Sequence, residues 1–152
     1  MTMTLPIARA VILLVEDNEA DARLTREAFT EIGRPLTMEW VRDGDEALAY
    51  LRRHAPYQAA PRPHLVLLDL NMPRRDGRAT LAAIKSDPVL REIPVVVLTT
   101  SENERDMRES YQSYANAYVT KPMDISALTK RLAALLDFWL SDVAHVPPVA
   151  ED

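Results

Sequence analysis

Polar side chains that could carry out chemistry follow four separate apolar runs of this sequence. Glu16 and Asp17 come directly after the first run, Asp69 follows another, Thr99 closes a third, and Lys121 comes after the last. Continuous apolar runs of this length predict buried parallel strands. In a sheet with helices on both faces, ligands bind beyond the carboxyl ends of the strands. We therefore expect these side chains to meet at one edge.

Three carboxylates at one edge repel each other, by roughly 4 kcal/mol per pair at about 4 Å and an effective dielectric constant of about 20. Magnesium, which prefers oxygen ligands, would offset this repulsion, and Lys121 would add a fixed positive charge. A carboxylate between these two cations is suited to receive a phosphoryl group, whose oxygens the Thr99 hydroxyl could also contact. Each signal alone is more typical of a helix cap, a turn or a solvated surface. Their joint placement favours the phosphoryl site.

The elements that would position this site alternate along the chain as strand and helix. Such alternation with short links predicts a doubly wound α/β fold, in which a five-stranded parallel sheet is covered by helices on both faces. The helix at 102–113 has little apolar content and should be solvated. We predict strands at 10–15, 36–41, 64–68, 94–99 and 117–120, and helices at 20–32, 43–53, 77–86 (capped by Asp76), 102–113 and 124–140.

Two of the helices carry apolar patterns that predict their buried faces. In the first, Leu24, Ala28 and Ile32 recur every four residues, and Gly33 is a natural C-terminal stop. In the last, a stripe of apolar residues predicts core packing, while others fall outside it and suggest a homodimer interface. The stripe is Ile125, Leu128, Leu132, Leu135 and Trp139, and the candidates for the dimer contact are Leu136, Phe138, Trp139 and Leu140. The alternative is that Phe138 and Trp139 fold back on their own domain.

Composition excludes several classes of function. The chain has 152 residues, 47% of them hydrophobic, which predicts one globular domain. The absence of cysteine rules out disulfides and thiolate chemistry, and the three histidines show no metal-ligand spacing. A net charge of −5 argues against nucleic-acid binding. The apolar runs are strand-sized and the start lacks a secretory signal, so we expect a cytoplasmic protein without a membrane span.

Four segments together resemble the receiver domains of two-component response regulators. They are residues 11–18 (VILLVEDN), 67–73 (LLDLNMP) followed by Asp76 and Gly77, 95–100 (VVVLTT) and 117–122 (AYVTKP). The resemblance covers residues 10–140 and implies a flavodoxin-like receiver fold with strand order 2-1-3-4-5. Residues 1–9 are then a disordered or extended start, and residues 141–152 form a C-terminal extension.

The resemblance implies roles for the residues at the sheet edge. Asp69 matches the phosphoacceptor, and Glu16 and Asp17 match the acidic pair that binds Mg²⁺. Thr99 matches the switch hydroxyl, and Lys121 matches the lysine that contacts the phosphoryl group. The implied phosphodonor is a sensor histidine kinase. Since such a domain catalyses only its own phosphorylation and dephosphorylation, we do not expect an enzyme.

Further positions are assigned by the same resemblance. The backbone carbonyl of Asn71 would bind the metal, and Asn71 and Ser101 would flank the water that hydrolyses the phosphoryl group. Tyr118 matches the aromatic residue that turns inward on activation, and Pro122 the proline that follows a cis bond. Tyr114 stands where the family often has glycine, so we expect the fourth helix to run on or to end differently.

A narrower resemblance points to a partner. Residues 21–28 (DARLTREA), the long loop before His64 and residues 137–140 (DFWL) are similar to single-domain regulators paired with bacterial phytochromes. This implies a red-light-sensing histidine kinase as phosphodonor.

Three other functions remain open at this stage. A magnesium-dependent phosphatase could form the same aspartyl phosphate, although Asn71 stands where such enzymes prefer a second acid, and the chain lacks a cap insertion. A receiver-like adaptor that is never phosphorylated is disfavoured by the full acidic set with Lys121. A transcription factor is least expected, because the dozen residues after Leu140 are too few for a DNA-binding domain.

Overall fold

The expected sheet is present in the structure, a computed structural model that describes residues 9–72 and 76–142. Its five strands pair in parallel in the order β2-β1-β3-β4-β5, as predicted. The strands are β1 (Ala10–Val15), β2 (Leu36–Val41), β3 (Leu65–Leu68), β4 (Val95–Thr99) and β5 (Ala117–Thr120). The helices are α1 (Glu19–Ile32), α2 (Gly44–Leu51), α3 (Gly77–Ser86), α4 (Glu104–Gln112) and α5 (Ile125–Asp137), with a 3₁₀ turn at Leu90–Glu92 and a π-helical turn at Phe138–Asp142.

The core lies in two layers, one on each face of the sheet. Side chains of β1 alternate between them, so that Leu13 and Val15 pack towards α2 and α3, while Ile12 and Leu14 pack towards α1 and α5. This two-sided burial explains why β1, β3 and β4 are continuously apolar in the sequence.

Each of the five α-helices begins at an Asn or Asp whose side chain accepts a backbone N–H of the first turn. The five capping residues are Asn18, Asp43, Asp76, Asn103 and Asp124. A capping oxygen satisfies one of the N–H groups that the first turn leaves without a helical partner. Asn103 explains why α4 begins at Glu104, two residues later than we predicted.

Helix ends show one confirmed expectation and one error. Gly33 ends α1 with φ of 72°, as expected. Tyr114 also adopts a left-handed conformation, with φ of 68°, after α4. The N–H of Ala115 donates to the Ser110 carbonyl at 2.9 Å, and that of Tyr114 donates to Tyr111 at 3.0 Å. These two bonds form the usual Schellman ending. The expectation that Tyr114 would change the helix end was wrong, because the bonds outweigh the steric cost of about 1–2 kcal/mol.

The inward face of α1 includes Ala28 and Ile32, as predicted, but not Leu24. Leu24 is 40% exposed, and Ala22, Thr25 and Phe29 are buried instead. The spacing of apolar side chains did not predict that Thr25 is buried, because threonine is polar. Its hydroxyl donates to the Asp21 carbonyl at 3.0 Å, and this local hydrogen bond allows the side chain to enter the core.

Two of the four dimer candidates on the last helix are buried within the domain. Leu136 is 0% exposed and Leu140 also packs in the core, whereas Phe138 is 52% exposed and Trp139 is partly buried. Our predicted stripe was too narrow, because a helix facing a sheet buries positions i, i+4, i+7 and i+8, here Leu128, Leu132, Leu135 and Leu136. Ile125, which we had placed in the core, is exposed.

Within the described residues, none of the helices has the length and apolar character needed to cross a membrane.

Candidate functional site

The carboxyl edge of the sheet brings the predicted polar residues together. The pairing of β1 with β3 ends at Val15 and Leu68, so the next residues, Glu16 and Asp69, are neighbours. The backbone N–H of Asp69 extends this ladder by donating to the Val15 carbonyl at 3.1 Å. Strand register therefore sets the two acids side by side.

Glu16, Asp17 and Asp69 form one acidic cluster, in which one ligand atom from each lies within 4.8 Å of the others. Glu16 is 1% exposed and Asp69 is 8% exposed, while Asp17 is partly exposed. Three carboxylate oxygens at this spacing, with one side open to solvent, suit a hard divalent cation that keeps several waters. The three ligand atoms are therefore close enough together to hold one divalent cation.

Lys121 lies against the same carboxylates from β5. Its backbone N–H donates to the Thr99 carbonyl at 2.7 Å. Its ammonium group donates to Glu16, and its Nζ is 3.4 Å from Asp21 and 3.8 Å from Asp69. Burial alone would lower the pKa of Lys121, but the negative charges of Asp69 and Glu16 outweigh it and raise this pKa. The site therefore holds a fixed positive charge.

Glu16 is the most strongly perturbed acid of the cluster. Burial, and then the contact with Asp69, raise its pKa to about 8, although Lys121 opposes this rise. A buried carboxylate beside another acid costs free energy to ionise, and a divalent cation would remove that cost. The backbone of Glu16 is held by Trp40, whose indole N–H donates to the Glu16 carbonyl at 2.7 Å.

Thr99, Ser101 and Tyr118 lie together on the β4–β5 side of the site. Thr99 is fully buried at the end of β4, and its hydroxyl accepts the Ser101 N–H at 3.4 Å. The Tyr118 hydroxyl donates to the Ser101 carbonyl at 2.9 Å, and the ring packs partly against the core. Tyr118 is therefore turned towards the β4–α4 loop.

Two other predicted positions give different outcomes. Asn71 is exposed next to the cluster, and its N–H donates to Asp69 Oδ1 at 3.3 Å. Pro122 does not follow a cis bond, since among the described residues only the Ala55–Pro56 bond is cis. That expectation was wrong for this structure. The isomers of an X–Pro bond differ by only about 0.5–1 kcal/mol, so tertiary packing rather than the local sequence decides between them.

Two residues that shape the site were given no role in it by the sequence analysis. Asp21 reaches Lys121 from the first turn of α1, and its position one turn after Asp17 was the available signal. Gly77 lies so close to the β3–α3 loop that an added Cβ would stand 2.1 Å from the Asp69 carbonyl oxygen. Only glycine allows α3 to begin against the backbone of Asp69.

Comparisons with known proteins agree with this geometry. A family model described as the response regulator receiver domain matches residues 12–133. The response regulator Rcp1 of Synechocystis sp. is 47% identical over 133 residues, which is 88% of this chain and 90% of Rcp1.

Solved structures show the same similarity. The phosphorylated cyanobacterial phytochrome response regulator RcpA has a TM-score of 0.87 and 49% identity, covering 92% of this chain and 100% of the RcpA chain. The Mn²⁺-bound form of Rcp1 has a TM-score of 0.83 and 45% identity, covering 91% of this chain and 99% of that chain. On its fold, its matched family model and these relatives, this chain belongs to the response regulator receiver family.

Proposed function

We propose that this receiver domain accepts a phosphoryl group on Asp69 in the presence of Mg²⁺ and signals through contacts with other proteins. The observation that carries the proposal is the convergence of Glu16, Asp17 and Asp69 within 4.8 Å of one another, with the Lys121 ammonium group alongside. We assign Asp69 as the acceptor because its carboxylate belongs to the cluster and lies 3.8 Å from Lys121 Nζ, whereas Glu16 is more deeply buried and already bonded to Lys121.

The reaction follows from these positions. An Asp69 carboxylate oxygen attacks the phosphorus of a phosphohistidine, and the P–N bond breaks with its electron pair on the imidazole nitrogen, which takes a proton from water. A P–O bond forms and gives an acyl phosphate. Magnesium held by the three acids would neutralise charge on the phosphoryl oxygens. Lys121 and the Thr99 hydroxyl would contact the remaining oxygens.

We also propose that Asn71 and Ser101 flank the path of the water that later hydrolyses the acyl phosphate, and that the Asn71 carbonyl binds the metal. Both side chains are small and polar, so we expect hydrolysis not to be blocked. Replacing both by leucine should slow loss of the phosphoryl group, measured by intact mass over time. An unchanged rate of loss would contradict this assignment.

Asp69→Asn tests the acceptor directly. With acetyl phosphate and Mg²⁺, the wild type should gain one phosphoryl group by intact mass, and Asp69→Asn should gain none while retaining its fold by circular dichroism. Asp45→Asn, a change at an exposed acid on α2, is the matched control and should be labelled like the wild type. Stable labelling of Asp69→Asn would overturn the assignment.

The same preparation separates the receiver from the two other candidate functions. A phosphatase would turn over small phosphate esters many times, whereas a receiver is labelled once per chain. An adaptor would not be labelled at all. We propose the receiver because the acidic cluster is complete and because Lys121 is held among its carboxylates.

We further propose that this chain is cytoplasmic and that its phosphodonor is a phytochrome-type sensor histidine kinase. The support is that RcpA, described as a phytochrome response regulator, is 49% identical over nearly the whole chain. Phosphotransfer from purified phytochrome kinases should be faster than from unrelated histidine kinases under equal conditions. Equal rates from both classes would contradict this pairing.

A homodimer through the last helix is the final part of the proposal. Phe138 is exposed and stacks edge-to-face on Trp139, with ring centroids 5.2 Å apart. Phe138→Ser should weaken self-association in analytical ultracentrifugation, while Val89→Ser, a change at another exposed apolar residue, should not. A chain that is monomeric at high concentration, with and without phosphorylation, would overturn the dimer.

A further inference from the structure

Ser101 is held at each of its polar atoms in the loop between β4 and α4. Its hydroxyl donates to Asp106 Oδ2 at 2.7 Å and accepts the Asn103 N–H at 3.2 Å. Its backbone N–H donates to the Thr99 hydroxyl at 3.4 Å, and its carbonyl accepts the Tyr118 hydroxyl at 2.9 Å. These hydrogen bonds fix the position of Ser101, and its N–H in turn orients the Thr99 hydroxyl.

Asp106 is in turn fixed by Arg78, which comes from a different element. The Arg78 guanidinium group donates to Asp106 Oδ1 and lies 3.8 Å from Glu109. The side chain of Asp106 is 15% exposed and that of Arg78 is 36% exposed, so the carboxylate is mostly covered while the guanidinium group stays in partial contact with water and salt. The hydrogen bonds from Arg78 and then Ser101 lower the pKa of Asp106. The carboxylate is therefore charged at neutral pH and keeps both contacts.

Arg78 is the second residue of α3, directly after Gly77. The N–H of Gly77 donates to the Leu70 carbonyl at 3.0 Å, and its Cα lies against the Asp69 carbonyl. The start of α3 is thus fixed to the loop that carries Asp69. The contacts from Asp69 through Gly77, Arg78, Asp106 and Ser101 to Thr99 form a continuous path between the two loops.

We infer that Arg78 is a positioning residue for the phosphoryl group, because it ties the loop of Asp69 to the loop of Thr99 and fixes the Thr99 hydroxyl relative to the acceptor. This inference rests on the proposed phosphorylation of Asp69. Arg78 contacts neither the acidic cluster nor Lys121 among the interactions of the described residues. Its loss should therefore affect binding of the phosphoryl group and leave binding of the metal unchanged.

Calorimetric titrations separate these two events. Mg²⁺ alone is titrated first, and then beryllofluoride, an analogue of the phosphoryl group, is titrated in saturating Mg²⁺. Arg78→Gln should weaken beryllofluoride binding about tenfold, a change of about 1.4 kcal/mol, with Mg²⁺ affinity within twofold of the wild type. Arg108→Gln is the matched control, because the ion pair of Arg108 within the described residues is with exposed Glu104 on the same helix, and it should change neither affinity.

Three further variants test the path itself. Asp106→Asn should match Arg78→Gln, and the double variant should be no weaker than either single variant, because both remove the same connection. Ser101→Ala breaks the path without touching the ion pair and should weaken beryllofluoride about threefold. Asp106→Asn and Ser101→Ala decide the question if Arg78→Gln does not fold.

The results separate a failure of the proposed phosphorylation of Asp69 from a failure of the positioning role of Arg78. If the wild type binds no beryllofluoride in Mg²⁺, the proposed phosphorylation of Asp69 fails. If the wild type binds it and Arg78→Gln behaves like Arg108→Gln, only the positioning role is overturned. An equal loss of Mg²⁺ and beryllofluoride affinity would also overturn it, since Arg78 would then be maintaining the acidic cluster.

Discussion

Two partly buried lysines at opposite ends of the sheet have oxygen-rich surroundings of different charge. At the carboxyl edge, the ammonium group of Lys121 lies among the carboxylates of Glu16, Asp21 and Asp69. At the amino-terminal ends of the strands, Lys85, near the end of α3, donates to three uncharged oxygens. They are the carbonyls of Arg91 at 3.0 Å and Ile93 at 2.9 Å, and Oδ1 of Asn116 at 3.0 Å.

The charge of the surrounding oxygens sets the direction in which each pKa moves. Carboxylates overcome the effect of burial and raise the pKa of Lys121. Without a carboxylate to offset burial, the pKa of Lys85 falls to about 8. Lys121 is thus a permanent cation that balances acids needed for chemistry. Lys85 ties together the segments that precede β4 and β5, and its role is structural.

Replacing Lys121 should have the largest effect on function. Lys121→Met removes the cation facing the phosphoryl oxygens, so labelling of Asp69 by acetyl phosphate in Mg²⁺ should slow by at least about 100-fold. Lys130→Met, at an exposed position on α5, is the control and should react like the wild type. A labelling rate within threefold of the wild type would show that Lys121 is also only structural.

Replacing Lys85 should have the converse effect. Lys85→Met leaves the Arg91 and Ile93 carbonyls without their donor, so the free energy of unfolding should fall by about 2 kcal/mol. The rate of labelling should stay within twofold, because Lys85 lies at the far edge of the sheet. Urea unfolding and intact mass measure the two quantities. Slower labelling with unchanged stability would reverse the assignment of the two lysines.

The titrations of Glu16 and Lys85, at opposite ends of the sheet, should change the free energy of unfolding in opposite directions as the pH rises. The pKa of Glu16 is raised from 4.5 to about 8 in the folded chain, so its contribution to stability is lost as the pH rises from about 4.5 to 8. The pKa of Lys85 is lowered from 10.5 to about 8, so the folded state binds fewer protons above pH 8. Its contribution therefore grows as the pH rises from about 8 to 10.5. Each slope is at most about 1.4 kcal/mol per pH unit.

Single variants should remove one slope at a time in Mg²⁺-free urea unfolding. Glu16→Gln should remove the fall below pH 8, and Lys85→Met the rise above it. Added Mg²⁺ should stabilise the wild type more at pH 8 than at pH 5, because metal binding needs ionised carboxylates. A larger gain at pH 5 would contradict the metal assignment.

The smallest effect is expected in the turn that carries Asn116, the partner of Lys85. Tyr114 holds a left-handed conformation there, with φ of 68°. Tyr114→Gly removes the steric cost and should raise the free energy of unfolding by about 1 kcal/mol without changing labelling. Ser113→Gly, where φ is −92°, is the control and should give no gain. Equal gains in both variants would contradict the strain at Tyr114.

The edge that carries the chemistry was largely predictable from the sequence. Strand ends were placed within one residue, and parallel topology then required Glu16, Asp69, Thr99 and Lys121 to converge. The Lys85 contacts and the Arg78–Asp106 pair had no such signal. They join residues from segments whose separation is set by helix packing, and a lone lysine or arginine on a helix usually indicates a solvated surface.

The sequence by itself determined the order of strands and helices, the cap of α3 at Asp76, and most of the polar residues at the carboxyl edge. The physical reason is that these depend on short-range periodicity and on the direction of parallel strands. Tertiary structure alone decided that Leu136 and Leu140 are buried, that Asp21 joins Lys121, and that Arg78 reaches Asp106. Those outcomes depend on the rotation and depth of each helix on the sheet, which are set by packing between elements distant in the chain.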